Sequence, residues 1–156
     1  MTTLLVDTSV VIKWFHSEGE SHVAEARALR EATRRGGIEA RVIDLVLYEM
    51  GNVLLRSLQW SGSAVADQLD DLVTICGSPL AVAADWLRQA TVLKAANGLT
   101  FYDACWAATA RALGISPVSA GVQGGERGSA ALQPRSIVPA GSGLSSACWS
   151  ASFSRS

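Results

Sequence analysis

The chain is short of most features that would assign it quickly. Among its 156 residues there are only two His and three Cys. Cys76, Cys105 and Cys148 form no C-x-x-C pair, so neither a thiolate zinc site nor a dithiol redox centre is encoded. The odd count and the lack of a leader-like start point to reduced thiols, as in the cytoplasm. No apolar run approaches the ~20 residues a membrane helix needs. Charge of one sign is also missing: 13 Lys+Arg stand against 14 Asp+Glu, which leaves no basic footprint for gripping duplex nucleic acid. No G-x-G-x-x-G follows the first apolar run, so a dinucleotide fingerprint is absent. No internal repeat is visible.

What is present falls into two unequal parts. Residues 1–119 carry 10 Lys+Arg and 13 Asp+Glu; residues 120–156 carry three Arg and one Glu. In the second stretch Gly, Ser and Ala make up 21 of 37 residues. The first part reads as one folded domain, residues 1–120. Residues 121–156 read as a Gly/Ser/Ala-rich, poorly ordered tail.

Within the first part, short apolar runs alternate with helical patterns. Thr3–Val6 reads as a strand ending at Asp7, with Thr8 and Ser9 opening a helix over Val10–Phe15. Glu18–Arg35 reads as an amphipathic helix closed by Gly36 and Gly37. Ala40–Ile43 is a second strand, and Leu45–Trp60 one apolar helix weakened at Gly51. Further helices are expected over Ser63–Cys76, Ala83–Ala96 and Thr100–Leu113. Val65, Leu69, Leu72 and Val73 should share the inner face of the first of these. Leu80–Val82 and Ile115–Ser119 read as short strands, the latter confined by Pro117 to an edge or an end. Strands alternating with helices predict an α/β fold, an α/β/α sandwich around a short central parallel sheet. Ligands of such sheets lie beyond the carboxyl ends of the strands, where Asp7 falls.

Three acids stand among apolar neighbours: Asp7, Glu49 in LVLYEMGNVLL, and Asp103 in LTFYDACWAA. A lone charge is costly there unless it is paired or bound to a cation. Three carboxylates brought together raise each other's pKa, and a hard divalent ion with oxygen preference resolves the conflict. Each acid also has a plainer explanation. Asp7 can cap the helix that follows it. Thr100 and Asp103 have the spacing of a capping box. Glu49 can be an ordinary helix glutamate, although Leu45, Val46 and Val53 place it on an apolar stripe, with Asn52 sharing its face. Lys13 reads as a solvated lysine, Trp14 and Phe15 as core aromatics, and Cys105 as a small buried hydrophobe.

Taken together, VDTSVVIKWF at 6–15, YEMGNVL at 48–54, LTFYDACWAATA at 99–110 and LGISPVSA at 113–120 resemble the PIN-domain family, specifically the VapC-type toxin ribonucleases of toxin–antitoxin pairs. The resemblance covers residues 1–120. It implies Mg²⁺- or Mn²⁺-dependent endonucleolytic cleavage of RNA. On the matching positions, Asp7 and Asp103 become the main metal ligands, and Glu49 serves a second metal or a metal-bound water. Thr8, Ser9, Asn52 and Thr100 support them. The resemblance further implies a VapB-like antitoxin and a homodimer as partners.

The chain departs from that family at its end. A fourth acid and a closing helix are expected after Ser119-Ala120, but Gly121-Val122-Gln123-Gly124-Gly125 follow, and Glu126 is the only carboxylate beyond. The abrupt change of composition is read as a reading-frame shift near codon 120, with weakened or absent nuclease activity and reduced stability as its consequences. A catalytically impaired remnant that only binds its antitoxin or itself is therefore the second reading. A haloacid-dehalogenase-like phosphotransferase is set aside, because it requires an Asp where Ser9 stands.

Overall fold

The computed structural model describes residues 1–120. The expectations about the tail, Cys148 and Glu126 lie outside the described residues.

Strand β1 (Thr2–Val6) occupies the middle of a three-stranded sheet of order β2–β1–β3, with β2 at Ile38–Arg41 and β3 at Ser116–Val118. Both pairings are parallel, Leu4 standing opposite Ala40 on one side and Ser116 on the other. Leu5 and Val6 are fully buried, as β1's run of large aliphatics requires of a strand covered on both faces. Pro117 lies on an edge strand, where its missing N–H removes no ladder bond the sheet needs. Leu80 forms only an isolated bridge with Ile43 rather than the expected strand.

The helices complete the α/β/α layers: α1 (Thr8–Phe15), α2 (Val23–Arg34), α3 (Leu45–Asn52), α4 (Gly62–Cys76), α5 (Ala84–Asn97) and α6 (Phe101–Leu113). α1 buries Val10, Val11, Ile12 and Trp14, so almost its whole surface is core. Phe15 is half-buried and lies under the Arg30 guanidinium of α2, 4.9 Å from its ring centre. Arg30 also donates to the Trp14 carbonyl at 2.9 Å, fastening α2 to the end of α1.

Several boundaries differ from the sequence reading. α2 begins at Val23 rather than Glu18 because Glu20 is drawn aside to pair with Lys13. Lys13 is itself a correction: it is 1% exposed, not solvated, since α1 is enclosed and Glu20 supplies the counter-charge a buried ammonium requires. α2 ends in a Schellman arrangement, Gly36 N–H donating to Thr33 and Gly37 N–H to Ala32. Gly36 sits at φ +74°, a conformation that favours glycine. The single helix expected over Leu45–Trp60 is α3 followed by a π-helical turn at Val53–Ser57. That turn keeps Leu54 fully buried while Leu55 and Arg56 face solvent. In α4, Val65 and Leu72 are buried and Leu69 packs against the core, but Val73 is largely exposed.

Candidate active site

The carboxyl end of the sheet gathers the charges. Asp7 follows β1 in extended backbone and caps α1: its Oδ1 accepts from Val10 N–H at 3.2 Å and from Ser9 Oγ at 2.6 Å. The capping explanation thus holds, and Asp7 has further partners besides. Ser119, just past β3, donates a side-chain hydrogen bond to the same carboxylate. Asp7 N–H donates to the Val118 carbonyl at 3.1 Å. The Ser9 hydroxyl accepts from Ala120 N–H at 2.8 Å. The ends of the central and edge strands are therefore locked to one another through Asp7 and Ser9.

Glu49 is half-buried on α3, one turn before the π-helical segment. Its Oε2 accepts a short hydrogen bond from Thr8 Oγ1, on the first residue of α1. Asp103 stands exposed in the first turn of α6. Thr100 caps that helix, accepting from Asp103 N–H at 3.1 Å and donating to Asp103 Oδ2 at 2.6 Å. This is the capping box anticipated from the spacing, except that the acid meets the Thr hydroxyl rather than the cap's own N–H. Asn52 is exposed and makes no hydrogen bond to Glu49.

The three carboxylates act on each other electrostatically. Burial pushes the Asp7 carboxyl above its usual range. The bonds from Ser119, Ser9 and Val10 oppose that shift, and the charge of Asp103 adds to it. Burial likewise raises Glu49, Thr8 opposes, and the charges of Asp7 and Asp103 add. Cys105, buried on α6, has its thiol raised by burial and then by the charge of Glu49. It is held as a thiol, the inert form.

This arrangement concentrates negative charge with hydroxyl support and, among the described residues, no cation paired with it. Its donors are all oxygen, the type that hard divalent ions take. Among the described residues no three His, Cys, Asp or Glu side chains come close enough together to enclose one ion. The donor chemistry thus fits an ion held by one or two carboxylates, with water completing its shell. It does not fit a closed protein cage.

Sequence reasoning singled out the three acids but not the Ser119 contact with Asp7. The clue available was position: Ser119 ends a strand parallel to β1, so it must emerge on the same edge. A cleft beside the acids was also missed. Its walls come from Asp44 and Tyr48 around α3, Leu87 of α5, and Phe101, Tyr102 and Cys105 of α6.

A family profile, that of the PIN domain, matches residues 4–121. No curated protein matches the chain.

Proposed function

The chain belongs to the PIN-domain family, and from that membership we propose that it is a divalent-metal-dependent endoribonuclease, the VapC-type toxin of a toxin–antitoxin pair. PIN domains are in general metal-dependent nucleases acting on nucleic acid, and this supports the broad activity. The observation that carries the reading is the placing of Asp7 and Glu49 on either side of the start of α1, Ser9 donating to Asp7 and Thr8 to Glu49, with the Thr100-bound Asp103 near enough for its charge to be felt by both.

In this mechanism Asp7 and Asp103 would hold Mg²⁺ or Mn²⁺. When bound, such an ion lowers the pKa of a coordinated water and neutralises charge growing on a phosphodiester. Ser9, Ser119 and the Val10 amide fix the Asp7 carboxylate, so it need not reorganise as charge develops. Thr100 does the same for Asp103. Thr8 engages Glu49 at Oε2, leaving Oε1 to take a proton from the attacking water. The raised pKa of Glu49 makes it a better proton acceptor than an ordinary carboxylate.

The test is cleavage of single-stranded RNA by the purified chain with Mg²⁺ or Mn²⁺, against the same mixture with chelator. Asp7→Asn and Asp103→Asn should each abolish cleavage. Cleavage that survives either substitution, or that ignores the chelator, contradicts the assignment.

One observation favours a second reading. Where relatives of this type carry a fourth acid after the segment matching Ser119-Ala120, this chain has Gly121-Val122-Gln123. A site with three carboxylates binds a second ion poorly. An impaired remnant that engages an antitoxin or its own copy is then the alternative, and partner binding without cleavage would identify it. The coding sequence around codon 120 tests the frame-shift origin of residues 121–156: an alternative frame should yield an acid followed by a helix-like segment. A domain boundary at residue 120, a cytoplasmic location and a homodimer complete the proposal. Among the described residues no helix is long and apolar enough to cross a membrane.

A further inference from the structure

Next to the carboxylates lies a cleft of about 270 Å³ whose walls are mostly apolar. Three aromatic rings stand at its rim with much of their surface in solvent: Tyr48 is 73% exposed, Tyr102 54% and Phe101 39%. Exposed aromatics gathered at one concavity are costly to leave wet and are typical of binding surfaces. Tyr48 directly precedes Glu49, and Tyr102 directly precedes Asp103. Cys105, on the wall, lies within the electrostatic reach of Glu49. The cleft is therefore lined by residues of the same two helices, α3 and α6, that carry Glu49 and Asp103.

Among the described residues no Lys or Arg lines the cleft, and one acid, Asp44, does. Phosphate is thus excluded as its occupant. Asp44 makes no cap hydrogen bond with its side chain, and no ion pair engages it among the described residues. A half-buried carboxylate without a donor, beside aromatic faces, calls for a flat ring that carries N–H groups. A cavity of this volume falls just below the usual ligand range of roughly 300–1,000 Å³, so it takes one ring system rather than a base pair.

Building on the nuclease reading above, we propose that this cleft is a subsite for one unpaired guanine base of the RNA. The base stacks on the Tyr48, Phe101 and Tyr102 surface, and its edge donates to Asp44. Guanine alone among the four bases presents two adjacent N–H donors, N1–H and the 2-amino group, which match the two oxygens of a carboxylate. A base seated here rests on Tyr48 and Tyr102, the residues that precede Glu49 and Asp103 in α3 and α6. Stacking supplies the affinity that a near-neutral chain cannot draw from phosphate contacts, and the binding should respond only weakly to salt.

The test is fluorescence anisotropy in chelator, using short uridine oligoribonucleotides that carry one guanosine, inosine or adenosine. The guanosine probe should bind about tenfold more tightly than the adenosine probe. Inosine, which lacks the 2-amino group, should fall between them. Asp44→Asn should erase the preference. Tyr102→Ala should weaken the guanosine probe roughly tenfold, with melting curves checking that each variant is folded. Equal binding of all three probes overturns the proposal, as does a preference that survives Asp44→Asn, or duplex bound as well as single strand. If the aromatic substitutions change only the oligomeric state, the cleft is an interface between copies and the proposal falls. Guanine-selective binding without Mn²⁺-dependent cleavage would uphold the subsite and remove the nuclease reading. Cleavage indifferent to the base would remove the subsite alone.

Discussion

Asp7 is where structure and chemistry pull in opposite directions. Burial raises its folded-state pKa above the ordinary 3.8, so the folded chain keeps this proton to higher pH than the unfolded chain does. Protonation therefore favours folding in that window. Stability of the metal-free protein is greatest below about pH 3.8 as far as Asp7 is concerned, and falls as pH rises through the folded pKa. Above its folded pKa the ionised Asp7 is a liability that a bound divalent ion would remove. Asp7→Asn should thus melt higher than the wild type at pH 7 in chelator while losing cleavage, and Mn²⁺ should raise the melting temperature of the wild type only. Calorimetry at pH 7 and pH 4 checks both signs. Ser9 serves two partners, accepting from Ala120 N–H and donating to Asp7. Ser9→Ala should cost about 1 kcal/mol of stability and roughly 10–100-fold in activity, read by denaturant melts and initial rates. The acids themselves were conspicuous in the sequence because each interrupts an apolar run. Their hydroxyl partners were not: Thr8 reaches Glu49 across 41 positions, and no periodicity encodes which turn of α3 will face α1.

At the scale of elements, the segment between α1 and α2 is held by the Lys13–Glu20 pair, in which Lys13 is all but sealed from water. Breaking such a pair from one side leaves an uncompensated buried charge. Glu20→Gln should therefore destabilise by about 3 kcal/mol, while Lys13→Met, of similar shape and no charge, should stay near neutral. Chemical denaturation of the two variants separates these outcomes. Sequence patterning handled the helices that end in chemical punctuation: α5 and α6 stop at Gly98 and Gly114, both at φ +65°, and α6 starts at its Thr100 cap. It failed where the deciding interaction was tertiary. The start of α2 depends on Glu20 turning away toward Lys13. The π-helical turn after α3 depends on carrying Leu54 into the core, and an apolar run reads the same whether its bonds close at four or five residues.

For the molecule as a whole, the alternation of strands and helices was enough to specify a parallel α/β/α sandwich. The strand order β2–β1–β3 was not legible, because the four short runs read as strands can be ordered in several ways, and one of them, at Leu80, forms only a bridge. The thiols report on how tightly this sandwich closes. Cys76, at the end of α4, has its thiol pushed up to about 12 by burial, and Cys105 is raised too. A thiol reagent should leave both unlabelled in the native protein at pH 8 and label them on unfolding, which mass spectrometry reads directly. Rapid native labelling of either would mean that the helical layers open far more often than a packed core permits.

The placement of β1 has a consequence for how the protein is made. Of the three described strands the central one is made before its neighbours, and it acquires the second of them only when Ser116–Val118 emerge. Asp7 and Ser9 wait on residues more than a hundred positions later for Val118, Ser119 and Ala120. A half-synthesised chain therefore holds the Asp7 carboxylate without the partners that aim it. The topology therefore acts as a timer: the carboxyl edge of the sheet around Asp7 is completed only as β3 and the two residues after it clear the ribosome.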